Sequence, residues 1–229
     1  MNKILNISVL VFAAMVFVSC GGRAFVKSPV DDYISQYSDQ QNFAIILENM
    51  DVEGRFFKTY KHQYKVILED SEGTPVETKS AWKEVDEKFF WANEENLGMT
   101  LCYKKDGKLE KNVSPPGYQY VGNGRYGEWR NNNGTSFWAF YGQYMFMSQM
   151  FGMMHRPIYR SDYSSYRGGY YGSKGYYGPK TGGKSKYGTS SAGTRKSRPD
   201  FFARKSSRSG WSGSRGRSGH SGRSSGFGK

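Results

Sequence analysis

Apolar and polar side chains alternate with a period of two along residues 56–68. The even positions are mostly apolar or aromatic, and the odd positions after Phe57 are mostly polar. This alternation predicts a long β-strand with one buried and one solvent-facing side. The sequence Ser-Glu-Gly-Thr-Pro at 71–75 is typical of a turn, so the strand returning from it should begin near Val76.

Further strands are predicted on either side of this hairpin. Residues 42–50 form a short apolar run suited to a buried strand. Two more predicted strands, 99–103 and 108–113, flank Asp106-Gly107, a dipeptide typical of tight hairpin turns with positive φ. Residues 42–113 are therefore expected to form hairpins in an antiparallel sheet.

Residues 20–41 are expected to form a tether that ends in a short helix. Pro29 suits the first turn of a helix. Asp31 and Asp32 would then face the positive end of the helix dipole. We therefore expect the folded domain to begin near residue 42.

The pattern changes after Ser114. Residues 118–134 are rich in glycine, asparagine and tyrosine, which predicts an ordered loop with aromatic anchors. Thr135 or Ser136 is a suitable cap for a helix running to about Met154. Apolar side chains cover nearly the whole circumference of this predicted helix, so its polarity leaves three placements open. The helix is buried against the sheet, lies in the membrane interface, or forms a second membrane-spanning segment.

Residues 156–229 differ from the rest of the chain in composition. They carry 17 lysines and arginines but only two acids, a net charge of +15, whereas residues 20–155 have a net charge of −3. The segment has no leucine or valine and a single isoleucine, Ile158. We expect it to bury too little apolar area to offset its chain entropy. The composition therefore predicts a disordered basic tail.

An apolar run near the N-terminus ends in a cysteine. Lys3 provides a positive start, residues 4–18 the apolar segment, and Cys20 follows a serine. This is typical of a bacterial lipoprotein signal, in which the cysteine thiol takes a diacylglyceryl group and cleavage removes residues 1–19. The alternative is an uncleaved signal-anchor helix, and either would export the rest of the chain. Lipidation of Cys20 would leave Cys102 without an intramolecular disulfide partner.

Residues able to support catalysis or metal binding are not grouped in the sequence. His62, His155 and His220 lack ligand spacing, and no other cysteine lies near Cys102. We interpret His62 as a buried strand histidine and Cys102 as a buried apolar side chain. No catalytic residue, cofactor site or metal site is predicted, and the chain is not expected to be an enzyme.

The basic tail is the strongest candidate for a binding function. Arginine, glycine and aromatic residues are interleaved there as in segments that bind single-stranded nucleic acid, and Arg167-Gly168-Gly169 is an RGG triplet. Export excludes intracellular nucleic acid, so the expected partners are anionic lipid, lipopolysaccharide or cell-wall polymer. The alternative is an inert spacer. The candidate polyanion-binding residues are Arg195, Lys196, Arg198, Arg204, Lys205, Arg208, Arg215, Arg217 and Arg223.

The run from Pro116 to Gly152, followed by Arg156 to Gly172, resembles small uncharacterised bacterial lipoproteins. These proteins share a Tyr/Gly/Trp-rich motif before an aromatic helix and a Ser/Gly/Arg-rich end. The resemblance implies an exported and anchored protein, and it implies no catalytic residue.

These patterns together predict an α+β fold. A small antiparallel sheet, a meander of hairpins, would pack with a C-terminal aromatic helix and precede a long disordered tail. The expected organisation is a signal peptide at 1–19, a lipid-anchored tether with a short helix at 20–41, the α+β domain at 42–155 and the tail at 156–229.

The expected location is the cell envelope, with the chain anchored by Cys20 and facing the periplasm. The outer membrane is favoured over the inner one because Gly21, rather than aspartate, follows the cysteine. The alternative function is a protein–protein adaptor that docks a membrane partner through residues 118–154.

Overall fold

The computed structural model describes residues 28–152, 156–208 and 211, which form an antiparallel sheet with helices on its flanks. The α-helices are α1 (Pro29–Gln36), α2 (Glu87–Ala92), α3 (Phe146–Met150), α4 (Arg160–Gly169), α5 (Ala192–Ser197) and α6 (Pro199–Ser207). The strands are β1 (Phe43–Glu53), β2 (Thr59–Glu69), β3 (Pro75–Lys79), β4 (Lys83–Val85), β5 (Thr100–Lys105), β6 (Lys108–Glu110), β7 (Gly127–Asn132), β8 (Thr135–Phe140), β9 (Lys180–Thr181) and β10 (Lys184–Ser185). Two single 3₁₀ turns, Glu94–Asn96 and Gly142–Tyr144, complete the described elements. The predicted α+β class is confirmed.

The main sheet has the strand order β3-β2-β1-β5-β6, and β4 pairs with the Tyr60–His62 end of β2. All these pairs are antiparallel. The register of β1 against β2 shifts between Leu47 and Asn49, which makes Glu48 the extra residue of a β-bulge. The bulge matters below because it displaces the Glu48 side chain from the regular ladder.

Alternate residues of β1 enter two different cores, so this strand is buried on both faces. We call these the tyrosine-side core and the helix-side core. The tyrosine-side core holds Ala44, Ile46, Ile67, Met99, Tyr103, Tyr118, Tyr120, Tyr126, Trp138, Phe140, Ile158, Tyr166, Tyr176 and Tyr187, among others. The helix-side core holds Val30, Phe43, Ile45, Leu47, Met50, Tyr60, Tyr64, Phe90, Phe201 and Trp211, among others.

The period-two prediction for residues 56–68 is confirmed over β2. Its residues alternate between half-buried and buried from Thr59 to Val66. The tight turn at Asp106-Gly107 is also confirmed, with positive φ angles of 50° and 77° that link β5 to β6. These features are set by neighbouring residues, which is why the sequence predicts them.

The predicted helix over residues 135–154 is wrong. Residues 135–140 form β8, which pairs with β7 around an Asn133-Gly134 turn, where φ is 46° and 78°. Such a turn fits the twist of two antiparallel strands, and Trp138 and Phe140 point into the core at every second position. The only helical pieces after β8 and before residue 153 are the Gly142–Tyr144 turn and α3.

This correction removes the three placements proposed for that helix. A strand and two short helical pieces cannot cover the sheet, lie in an interface or span a bilayer as one rod. Within the described ranges, none of the helices combines the length and apolar character needed to cross a membrane.

The predicted disorder of the tail is wrong for residues 156–208. Ile158, Tyr166, Tyr176 and Tyr187 are buried in the tyrosine-side core, and Phe201 lies in the helix-side core. Aromatic rings bury large areas, so they replace the missing leucine and valine. The folded domain therefore extends past the predicted boundary at 155. Residues 212–229 lie outside the described residues.

Candidate functional site

The structure describes six of the nine candidate polyanion-binding residues. Arg215, Arg217 and Arg223 lie outside the described residues, as does Cys20. Arg195 and Lys196 are exposed in the last turn of α5, and the Arg195 guanidinium lies 4.8 Å from the centre of the Phe202 ring. The remaining four form ion pairs with acidic side chains of the domain.

Three acidic side chains of the domain form ion pairs with these four cations, since Arg204 and Arg208 share Asp51. The ion pairs are Arg198–Glu48 at 2.8 Å, Arg208–Asp51 at 2.7 Å, Lys205–Glu94 at 2.7 Å and Arg204–Asp51 at 3.6 Å. The expectation of a row of free cations is therefore wrong for this part of the tail. The positive charges of this part of the tail form ion pairs with acidic side chains of β1 and of the Glu94–Asn96 turn.

The RGG triplet is also part of the folded domain. Arg167-Gly168-Gly169 closes α4, and the Arg167 guanidinium lies 3.9 Å from the centre of the Tyr171 ring. This is a cation–π contact within the chain. The triplet belongs to a packed helix rather than to a flexible binding segment.

A cleft of about 200 Å³ opens beside the β1 bulge. One wall comes from β1 and β2, and the other from residues 149–152, Arg156 and α5. Its charged lining residues are Glu48, Lys65, Arg156 and Arg198. Three cations therefore share this space with one carboxylate.

Local sequence explains how Arg198 reaches the cleft. Ser191 caps α5 by accepting a hydrogen bond from the Thr194 N–H. Pro199 disfavours helical geometry in the residue before it, so α5 ends at Ser197 with Arg198 as its C-cap, and α6 begins at Pro199. The Arg198 guanidinium then donates to both Glu48 carboxylate oxygens, at 2.8 and 2.9 Å.

The Arg198 contact keeps Glu48 ionised. Burial by itself would raise the pKa of Glu48, but the Arg198 hydrogen bonds and charge, with Lys65 and Lys79, hold that pKa below its ordinary value. Lys65 has its own partner, Glu77, at 2.9 Å. The carboxylate is thus committed to a bidentate pair.

Arg156 is the cation of the cleft that lacks an acidic partner. It is half-buried and forms no ion pair with the described residues. Burial lowers its pKa, Tyr187 opposes that shift, and the charge of Arg198 adds to it. The guanidinium lies 5.6 Å from the centre of the Tyr187 ring. A Cβ at Gly193 would come within 2.7 Å of it, so the absence of a side chain there makes room for Arg156.

The cleft has the chemistry of an anion site. A guanidinium presents a planar pair of N–H donors that matches carboxylate and phosphate oxygens. Partial burial weakens solvent screening of the Arg156 charge and strengthens its attraction for an anion. Sequence reasoning assigned Arg156 to a disordered tail and missed this position. The role of Arg156 as a cation without an acidic partner among the described residues depends on Arg198 pairing with Glu48, and these two residues lie far apart in the sequence.

His62 and Cys102 are buried, in agreement with their sequence interpretation. The His62 Nδ1 lies 3.0 Å from the Tyr64 hydroxyl, and burial lowers the His62 pKa to about 3. Burial raises the pKa of the Cys102 thiol to about 12. The described residues contain no group of three or more His, Cys, Asp or Glu side chains placed to hold a metal ion.

The aromatic segment proposed for docking a partner is largely internal. Tyr118, Tyr120 and Tyr126 are buried in the tyrosine-side core. Exposed apolar side chains in the segment are confined to its second half, where Tyr141, Met145 and Phe146 are more than one-third exposed. A docking surface in this region would therefore be small.

No protein-family model, curated protein or solved structure matches this chain.

Proposed function

We propose that this is a lipid-anchored, non-catalytic protein of the bacterial cell envelope that binds an anionic group in the Arg156 cleft. The anchor is Cys20, and the folded domain faces the periplasm. The observation that carries the binding role is the half-buried Arg156 guanidinium, which has no acidic partner among the described residues.

The cleft size limits the ligand to a compact group. A volume of about 200 Å³ admits a phosphate or carboxylate with a few attached atoms, and it is smaller than the roughly 300–1,000 Å³ of typical drug-sized sites. Anionic lipid headgroups, lipopolysaccharide and cell-wall polymers all carry such groups. We assign to the cleft the binding role that the sequence suggested for the tail, because four of the six described candidate cations of the tail form ion pairs within the domain.

Inorganic phosphate is a direct probe of this site. The mature chain with Cys20→Ser, which cannot be lipidated, should unfold at a higher urea concentration in phosphate than in chloride of equal ionic strength. A ligand that binds only the folded state adds about 2.7 kcal/mol of stability at a hundredfold excess over its dissociation constant. Arg156→Gln should abolish the phosphate-dependent gain.

Arg195→Gln is the matched control because Arg195 is exposed on the neighbouring helix α5 and does not line the cleft. It should keep the full phosphate response. An equal response in wild type and Arg156→Gln, or an equal loss in both variants, would contradict the proposal.

An adaptor role is the second candidate. It is favoured by the exposure of Tyr141, Met145 and Phe146, which lie together in sequence after β8. The phosphate experiment separates the two candidates, since docking through these apolar residues requires no response that depends on Arg156.

A further inference from the structure

The tip of the β1–β2 hairpin displays two adjacent aromatic rings. Phe56 is 87% exposed and Phe57 is 93% exposed, the highest values among the large apolar residues described. Neither belongs to the tyrosine-side or the helix-side core. These rings therefore contribute little to folding while their solvent exposure is unfavourable.

The backbone of this tip has a constrained conformation. Gly54 has a φ of 82°, and a Cβ on it would lie 2.0 Å from the Phe57 carbonyl oxygen. Only glycine fits such a close approach at positive φ. The turn is thus built to carry the two rings at the end of a long hairpin.

Basic residues flank the rings on both sides. The Arg55 guanidinium lies 5.8 Å from the centre of the Phe56 ring, and Lys58 follows Phe57 directly. Lys58 also lines a cleft with three acidic residues, Glu84, Asp86 and Glu87. Arg55 is therefore the cation that we assign to the lipid phosphates. Aromatic side chains beside an arginine suit a lipid interface, where the rings enter the acyl boundary and the guanidinium meets a phosphate.

We propose that residues 54–58 insert into the interface of an anionic phospholipid bilayer. This inference rests on the anchoring part of the proposed function, which keeps the domain near a membrane. Two phenylalanines supply roughly 300–500 Å², less than the roughly 800 Å² per partner of a stable protein interface. A bilayer needs no matching partner surface, so it is the occupant that this small convex tip fits.

Site-specific labelling tests the insertion. An environment-sensitive fluorophore is attached at Phe57→Cys in the mature Cys20→Ser chain, where the buried thiol of Cys102 stays unreactive because its pKa is raised to about 12. Vesicles containing phosphatidylglycerol should shift the emission to the blue, less so as salt rises. Val76→Cys is the control, since Val76 is 49% exposed but pairs with Leu68 at the other end of β2.

A double variant measures the contribution of the rings. Phe56→Ser with Phe57→Ser should weaken binding to the phosphatidylglycerol vesicles by about tenfold or more. Its thermal unfolding should match that of the parent, because the rings lie outside both cores. Vesicles of phosphatidylcholine alone should bind weakly in every case.

Two results would overturn the insertion. One is a label at position 57 that stays in water on the phosphatidylglycerol vesicles or behaves like the label at position 76. The other is unchanged vesicle affinity in the double variant. Neither result bears on the lipid anchor or the Arg156 cleft, because the assay uses an unlipidated chain and requires no phosphate response.

Discussion

His62 is a neutral imidazole enclosed by aromatic rings. The centres of the Phe89, Phe90 and Tyr64 rings lie 5.6, 5.3 and 5.8 Å from its own. Its Nε2 has no hydrogen-bond partner in the described part of the chain. Protonation would place a positive charge in this apolar space, and that desolvation cost is the reason the His62 pKa falls to about 3.

This burial makes His62 a source of acid sensitivity. Between the ordinary pKa of 6.5 and the folded value of about 3, the unfolded chain carries a proton on His62 that the folded chain does not. The free energy of unfolding should therefore fall as pH is lowered through this range, by about 1.4 kcal/mol per pH unit from this residue. In His62→Gln that part of the slope should disappear, as measured by urea unfolding between pH 6 and pH 4. Identical slopes in the two chains would show that His62 is not the source.

At the scale of elements, helix α6 packs the C-terminal part of the described residues against the sheet. Phe201 is buried in the helix-side core, with the centre of its ring 5.4 Å from that of Trp211. Arg204 and Arg208 of the same segment reach the buried Asp51 carboxylate of β1. Apolar burial and ion pairing therefore both hold α6 and Arg208 against the sheet.

Alanine substitutions at Phe201 and Phe202, which are neighbours in α6, distinguish the effect of side-chain burial on stability from the effect of helix propensity. Phe201→Ala should lower the free energy of unfolding by about 3–5 kcal/mol, because a large buried ring leaves a cavity. Phe202→Ala makes the same change on a half-buried residue of the same helix, and it should cost about 1 kcal/mol. Chemical denaturation of both variants provides the measurement. Equal losses would mean that α6 is not fastened through the helix-side core.

Local sequence rules predict one hairpin of this fold correctly and another wrongly. They predict the Asp106-Gly107 turn and the strands around it. The Asn133-Gly134 turn carries a similar signal, but the dense aromatic residues after it favour a helix in the sequence interpretation. The alternation of Trp138 and Phe140 into the core is the strand signal that could have corrected this interpretation.

Other parts of the fold lie beyond local rules. Arg198 and Glu48 are 150 residues apart in sequence, so no spacing pattern predicts that they meet. The order of residues 156–208 depends on tyrosine rings that pack together in the tyrosine-side core. Some of their hydroxyls find partners there, as in the Tyr103–Tyr166 pair at 3.1 Å. The segment's lack of leucine and valine predicts disorder, because that argument gives no weight to the apolar area of tyrosine rings.

At the scale of the whole molecule, opposite charges on different parts of the chain form ion pairs within the fold. Residues 20–155 carry a net charge of −3, and residues 156–229 carry +15. Part of that excess is used to join the C-terminal segment to the acids of β1 and the Glu94 turn. Arg156 lines the cleft without an acidic partner among the described residues, and it is the position at which we propose that an anion binds.

The proposed anchor determines where this charge acts, and the two cysteines provide a matched test of it. If Cys20 is lipidated, mass spectrometry of the mature N-terminal peptide should show a diacylglyceryl thioether, an acylated amino group and the loss of residues 1–19. Cys20→Ser should abolish the modification and release the protein from the membrane fraction. Cys102→Ala should keep both lipid and location, because the buried Cys102 thiol is shielded from modification. An unmodified Cys20 in a chain that retains Met1 and fractionates with the cytosol would rule out the anchor and, with it, the envelope as the place where the cleft finds its anion.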